Sequence, residues 1–254
     1  LKKRLGKWLQ YILLSKHPAL SKFIPETALF TVENLTDLLK RYESVYLKND
    51  RGGQGKGIFK VYKNKDGLYC FNGYTLNGEK IKMDVKKIEE FEPVLHPINR
   101  FGGYLVQEGI PSLTPTGLPL SIRVHVQLLK GEWVIGGMYG KVATEETTSS
   151  GVINSHRGAE LMTIDTLLSE HLGMDDKKKN DLINCIKEVS IIAAGVAATA
   201  VPQIEYGIDF GISKCMDPVL FEINTSPGVG NFSKVGNGEM RKQIKAIRSM
   251  HLKG

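Results

Sequence analysis

Three oxygen-bearing side chains near the C-terminal end of the sequence are spaced to meet on one face of a hairpin. Strict alternation over 204–212 puts Ile204, Tyr206, Ile208, Phe210 and Ile212 on one face and Glu205, Gly207, Asp209 and Gly211 on the other. Over 218–224 the same rule gives an apolar face of Val219, Phe221 and Ile223 and leaves Glu222 and Asn224 opposite it. Symmetric closure through 213–216 sets Asp209 nearly across from Glu222, with Cβ atoms about 5 Å apart. Facing carboxylates repel unless a cation lies between them. An all-oxygen set suits Mg2+, which takes few protein ligands and fills its octahedron with water and phosphate. The competing reading is a hydrated sheet face. Asn224 and the Thr-Ser-Pro-Gly turn at 225–228 favour the metal.

A second feature could hold what such a metal carries. Segment 49–57 reads Asn-Asp-Arg-Gly-Gly-Gln-Gly-Lys-Gly, rich enough in glycine for main-chain N–H groups to wrap a phosphate. No Ser or Thr follows Lys56, and no helical pattern opens after Gly57, so neither a Walker A loop nor a dinucleotide-binding turn fits. A strand ending in Lys48 enters the loop and another strand leaves it. Strand, lysine, glycine loop and strand make a flap that closes over nucleotide phosphates.

Both features need elements to hold them. Residues 1–30 begin with an amphipathic helix (Leu5, Trp8, Leu9, Ile12, Leu13) and stop near Pro25, a helical lead-in. A short helix is expected over 31–41, then strands at 44–48, 57–62, 68–71 and 80–83 in a small antiparallel lobe. A strand at 104–108 runs into a Pro/Gly loop over 109–119, a candidate hinge. The second half opens with a hairpin, 121–129 and 132–143, closed at Lys130 and Gly131 and followed by a polar loop over 144–158. Leu182, Ile186, Val189, Ala193, Val196 and Ala200 mark a buried helix over 176–200 that stops before Pro202. The domains expected are a lead-in (1–30), a small lobe with the flap (31–105) and a large lobe with the metal site (106–254).

Composition narrows the class. In 254 residues, 41% are hydrophobic and 24% charged, which suits an ordinary globular chain. The apolar run 191–201 is too short to span a bilayer and sits in a helical pattern, so no membrane association is expected. The basic N-terminus lacks a small-residue cleavage site, and a cytoplasmic location is expected. Cys70, Cys185 and Cys215 form no C-x-x-C pair and no disulfide framework. The net charge of +7 is scattered, and no zinc-finger, RNP-like or zipper pattern accompanies it, so nucleic acid is not an expected partner.

Together these motifs resemble the ATP-grasp superfamily, in particular its YheC/YheD-like (spore-coat-associated) and RimK-like members. The resemblance covers nearly the whole chain. It rests on 45–48 with the glycine loop, on Gln-Glu-Gly-Ile at 107–110, on Ser-Ile-Arg-Val at 121–124, on Asn-Ser-His-Arg-Gly at 154–158, and on Gly-Ile-Asp at 207–209 with Glu-Ile-Asn-Thr-Ser-Pro-Gly at 222–228. The implied fold is α+β, two α+β lobes gripping ATP, without the usual N-terminal pre-ATP-grasp domain.

The resemblance also implies roles. Lys48 contacts the ATP phosphates, while Gly53, Gln54, Gly55 and Lys56 cover them. Gln107, Glu108 and Ile110 line the adenine site, the last two through backbone groups. Asp209, Glu222 and Asn224 match the Mg2+ ligands. Arg123, Lys141 and Arg157 match phosphate-binding and catalytic cations, and Asn154 and His156 lie in the substrate loop. Relatives often carry an acidic residue two places before the Arg123 position, where this chain has Ser121. The implied activity joins a carboxylate to an amine through an acyl phosphate, releasing ADP and phosphate. Its substrate would be a small molecule or a peptide carrying both groups, the acceptor site would be formed by the two lobes, by another subunit of a homo-oligomer or by a carrier partner, and the resemblance leaves spore association open beside the cytoplasmic location. Two alternatives stand beside it: a non-catalytic ATP-binding spore-coat protein and a small-molecule phosphotransferase on the same fold. The kinase-like letters Asp-Phe-Gly at 209–211 and His-Arg at 156–157 do not make a protein kinase, because the catalytic Asp after His-Arg is missing and Lys48 precedes the glycine loop.

Overall fold

Two antiparallel sheets organise the chain, and the computed structural model describes residues 5–95, 103–144, 153 and 158–251 of it. Helix α1 (Lys7–Ser15) leads into β1 (Thr27–Leu29) and α2 (Val32–Arg41). Then come β2 (Val45–Asn49), β3 (Ile58–Lys63), β4 (Tyr69–Tyr74), β5 (Lys80–Val85), the single turn α3 (Glu92–Leu95) and β6 (Tyr104–Glu108). These six strands pair in the order β1-β6-β2-β3-β4-β5. One face carries Val45, Leu47, Phe59, Val61 and Phe71 and is covered by Leu35 and Leu38 of α2 and by Phe91. Helix α2 begins where the Thr31 hydroxyl accepts from the Asn34 N–H, a side-chain cap for an otherwise unpaired donor.

The second sheet holds β7 (Leu120–Leu129), β8 (Glu132–Val142) and β9 (Glu160–Met162). After the turn α4 (Ile164–Thr166) and the long helix α5 (Asp176–Ala200) come β10 (Glu205–Ile212), β11 (Pro218–Asn224) and α6 (Glu239–His251). Its order is β11-β10-β7-β8-β9. Alternation sends Ile122, Val124, Val126, Tyr206, Ile208 and Phe210 into the core, where the Leu182, Ile186, Val189 and Ala193 stripe of α5 packs on them. By length and composition α5 could cross a membrane, and here it lies on the sheet.

The opposite face of this sheet is divided. One half is roofed by α6, whose Ile244 joins Phe232, Val235 and Tyr139 in a small cluster. The other half opens toward the small lobe and carries Arg123 and Asp209.

Several expectations need correcting. The three-residue strand β1 fell in the stretch read as lead-in, while the helical turns over 88–95, the three-residue strand β9 and the turn that begins at Ile164 fell in stretches given no element. Too few residues were available there for periodicity to register. In α1 the inward face runs through Gln10 and Leu14, while Leu9 is 42% exposed. A polar residue thus turns inward where an apolar stripe was expected.

Candidate active site between flap and hairpin

Asp209 of β10 stands directly opposite Glu222 of β11, and Gly207 opposite Asn224. On its other side Asp209 registers with Arg123 of β7. The expected carboxylate pair is therefore present. The alternation in β11 is not maintained, because the register shifts between Asp209 and Phe210. The bulge sends Leu220 into the core and leaves Phe221 half-buried on the cleft side. Gly211 makes this possible, since a Cβ there would lie 2.2 Å from the Phe221 ring. The expected apolar triplet Val219, Phe221 and Ile223 is thus corrected at two members: Val219 pairs with Gly211, Phe221 sits in the bulge, and of the three only Ile223 joins the core cluster.

Charge at the site is paired in detail. Arg123 grips Asp209 with two bonds, Nε to Oδ1 at 2.9 Å and Nη2 to Oδ2 at 2.6 Å. Lys141 donates to Oδ1 at 3.0 Å, and the Asn224 amide nitrogen donates to Oδ2 at 3.1 Å. Burial pushes the Asp209 carboxyl up, but Arg123 and Lys141 outweigh it and hold the group far below the usual carboxylate range. Burial lowers Lys141, with Asp209 opposing it, whereas the Asp209 carboxylate overcomes burial at Arg123 and raises it. Glu222 pairs with Lys7 at 3.1 Å.

These cations change the metal argument. Facing carboxylates do not by themselves demand a divalent ion when Arg123, Lys141 and Lys7 already neutralise them. Among the described residues no three His, Cys, Asp or Glu side chains come together. The donor chemistry still fits Mg2+. Asn224 spends its nitrogen on Asp209, so its oxygen is the atom left for a cation, and Glu222 and Asn224 both line one cavity.

That cavity, about 320 Å³, lies between the hairpin and the glycine loop, with Lys7, Asp50, Gly53 and Gln54 on its other walls. The loop base is pinned where the Asn49 N–H donates to the Gly57 carbonyl at 2.8 Å, and Gln54, Gly55 and Gly57 all take positive φ. Lys56 points elsewhere, its Nζ 3.8 Å from where a Cβ on Gly78 would sit, at the β4–β5 turn. Lys48 donates to Gln107, whose own amide donates to the Thr27 hydroxyl at 2.9 Å. Burial pushes Lys48 down to about 8, with Glu222 opposing the shift. A narrow recess behind it is bounded by Leu105, Gln107 and Phe221. The Glu108 N–H already donates to the Glu26 carbonyl at 2.8 Å, and the Ile110 carbonyl accepts from Ser112 at 2.9 Å, so these two backbone groups are engaged within the fold.

The structure thus brings Arg123, Lys141, Asp209, Glu222 and Asn224 together, with Gly53 and Gln54 above them and Lys48 and Gln107 alongside. Asn154, His156 and Arg157 lie outside the described residues. Ser121 is buried on the same strand face, its hydroxyl without a partner among the described residues.

Sequence reasoning missed α1 as part of the site. The Lys7 ammonium bridges Glu222 and the Gly52 carbonyl of the flap, the latter at 2.6 Å. Asp50 of the flap accepts from the Trp8 N–H at 2.8 Å, capping α1 from outside the helix. Gly6 permits this, because a Cβ there would meet the Asp50 carboxylate at 2.6 Å. The only sequence signal was a lysine in a basic cluster, which reads as a solvated end.

A sequence model of the YheC/D-like ATP-grasp family matches residues 2–249. The chain belongs to this family. Among solved structures this ATP-grasp chain is similar to the ATP-grasp ligase PsnB in complex with a minimal precursor (TM-score 0.54, 13% identity, 97% of this chain and 61% of that one). It is also similar to the VanG D-Ala:D-Ser ligase of Enterococcus faecalis (0.54, 15%, 97% and 61%) and to the D-cycloserine synthetase DcsG (0.57, 12%, 97% and 70%). At such identities the likeness establishes the ATP-grasp fold, and the chain spans about three fifths of the first two proteins. No curated protein matches the sequence.

Proposed function

We propose that the chain binds Mg-ATP under the glycine flap and uses it to activate a carboxylate for attack by an amine. The observation that carries this reading is the charge balance of the cleft. Among the described residues Lys7, Lys48, Arg51, Arg123 and Lys141 stand against Asp50, Asp209 and Glu222, five cations to three carboxylates, leaving two positive charges in excess. A magnesium-bound triphosphate brings about two net negative charges and supplies the missing counter-charge. Ligand binding would free the cations that the two carboxylates now hold.

Bound Mg2+ would be held by Asp209, Glu222 and the Asn224 oxygen and would withdraw charge from the phosphate oxygens. Arg123 and Lys141, released as Asp209 turns to the metal, orient the terminal phosphoryl group. A carboxylate oxygen of the substrate attacks that phosphorus as ADP departs. An amine then attacks the acyl carbon, phosphate leaves, and the amine nitrogen loses its proton as the amide forms. The protein supplies positioning and preorganised charge and no covalent nucleophile. The Tyr46 and Phe221 rings, with centroids 5.8 and 5.7 Å from the Lys48 Nζ, supply flat apolar surfaces for a base.

The acceptor is a peptide or a small molecule acted on in the cytoplasm, and the complexes solved for PsnB with its precursor support the peptide choice. The test is product analysis with panels of carboxylates and amines. ADP and phosphate released only when both substrates are present support the reading; AMP and pyrophosphate overturn it. A stable phosphorylated product without an amine would move the assignment to a phosphotransferase.

A further inference from the structure

Strand β11 carries two of the three proposed metal ligands and lies at the edge of its sheet, paired on one side only, with β10. Glu222 and Asn224 register with Asp209 and Gly207, so the residue between them, Ile223, has main-chain groups that face away from β10. An edge strand normally leaves such groups to water. Here Ile223 is 2% exposed, which leaves those groups little access to water.

Gln10 takes the place of a neighbouring strand. Its Oε1 accepts from the Ile223 N–H at 2.8 Å and its Nε2 donates to the Ile223 carbonyl at 2.9 Å. The same nitrogen donates to the Leu5 carbonyl at 3.0 Å, and the side chain is 5% exposed. One amide thus makes the two-point contact that a paired strand would make, from a helix 213 residues distant in sequence. Packing alone would favour an apolar residue at this inward position of α1, as at Leu14.

We infer that Gln10 is a positioning residue for the metal ligands, fixing the main chain between Glu222 and Asn224 so that both side chains converge on one ion. The inference rests on the Mg-nucleotide reading above. Mg2+ demands near-ideal octahedral geometry, so a strand free to shift by a fraction of an ångström would hold it poorly. Glu222 has Lys7 as a second anchor and Asn224 has Asp209, but neither fixes the strand axis.

The experiment titrates the full chain into a fixed low concentration of the Mn2+ complex of a non-hydrolysable ATP analogue, with the bound ion read by its EPR signal. Four proteins are compared with the wild type: Gln10→Leu, Gln10→Glu, Leu14→Ala and Asp209→Asn. Gln10→Leu loses both contacts with Ile223 and is expected to weaken Mn2+ binding 10–100-fold, the usual effect of removing support from outside the ligand shell. Gln10→Glu keeps an acceptor for the Ile223 N–H and loses the donor, and should fall between wild type and Gln10→Leu; it also serves if Gln10→Leu fails to fold. Leu14→Ala loosens the packing of the same helix and should lower the melting temperature while leaving Mn2+ affinity within about twofold. If Leu14→Ala weakens Mn2+ as much as Gln10→Leu, the residue merely docks the helix and the inference fails. It fails too if both Gln10 variants bind like wild type while Asp209→Asn does not, which would leave the metal site standing. A wild type that binds no Mn2+ overturns the site and this role together.

Discussion

Glu205 and Asp209 occupy the same face of the same strand, four residues apart, and each is gripped by an arginine and a second basic residue. Arg248 holds Glu205 through two bonds at 2.7 and 2.6 Å, and His125 of β7 approaches it at 3.2 Å. Asp209 has Arg123 and Lys141 in the equivalent positions. What differs is the roof. Helix α6 closes over Glu205 and supplies its arginine, whereas Asp209 lies beside a cavity whose far wall is a glycine loop. The first cluster is a clasp for the C-terminal helix, and the second stands beside Glu222 and Asn224, which line the cavity. A buried ion pair can serve a ligand only where a cavity, and not a packed helix, lies over it.

This contrast can be broken residue by residue. The largest effect is expected for Asp209→Asn, which strands two buried cations. It should cost about 3–5 kcal/mol of stability and abolish turnover, read by thermal melts and ADP release. Glu205→Gln comes next and should separate the two clusters. Burial raises the Glu205 carboxyl, but His125 and Arg248 outweigh it and bring it to about 2. A carboxyl lower in the folded than in the unfolded chain stabilises above the unfolded value near 4.5, and that stability is lost as pH falls toward 2. The loss is about 3 kcal/mol, so Glu205→Gln should flatten acid unfolding over this window while leaving nucleotide affinity within about twofold.

Smaller effects sharpen the flap side. Lys48 sits at about 8 before ligand binds, so its charged fraction falls as pH rises through that value. Nucleotide affinity should weaken about tenfold between pH 7 and pH 9, and Lys48→Met should weaken binding and remove the slope, measured by calorimetry. The smallest change is expected for Asp50→Ala, which removes the cap on α1 at a cost of about 1 kcal/mol. Proteolysis within the glycine loop should then become faster, because the loop loses one of its ties to the helix while the Lys7 bond to the Gly52 carbonyl remains.

Where a long regular element carries the information, the sequence was legible. Period-two alternation identified the β10–β11 pair and placed Asp209 against Glu222, and the helical period gave α5 over its full length. The same alternation could not tell Glu205 from Asp209, because the helix that distinguishes them arrives from the C-terminus. Phe221 escaped because a one-residue bulge inverts the pattern. Lys7 and Gln10 escaped because their partners are distant in sequence and their types are ordinary for a surface helix. The inference from facing carboxylates to a metal was incomplete for a related reason: the neutralising cations sit on other strands and on α1, and no local pattern announces them.

The central claim is that the hairpin and the flap form one Mg-nucleotide site. Calorimetric titration of a non-hydrolysable ATP analogue, with and without Mg2+, tests it most directly. Binding that requires Mg2+, survives Glu205→Gln and disappears in Asp209→Asn is the predicted result. Equal binding with and without the metal, or an Asp209→Asn protein that binds like wild type, would contradict it.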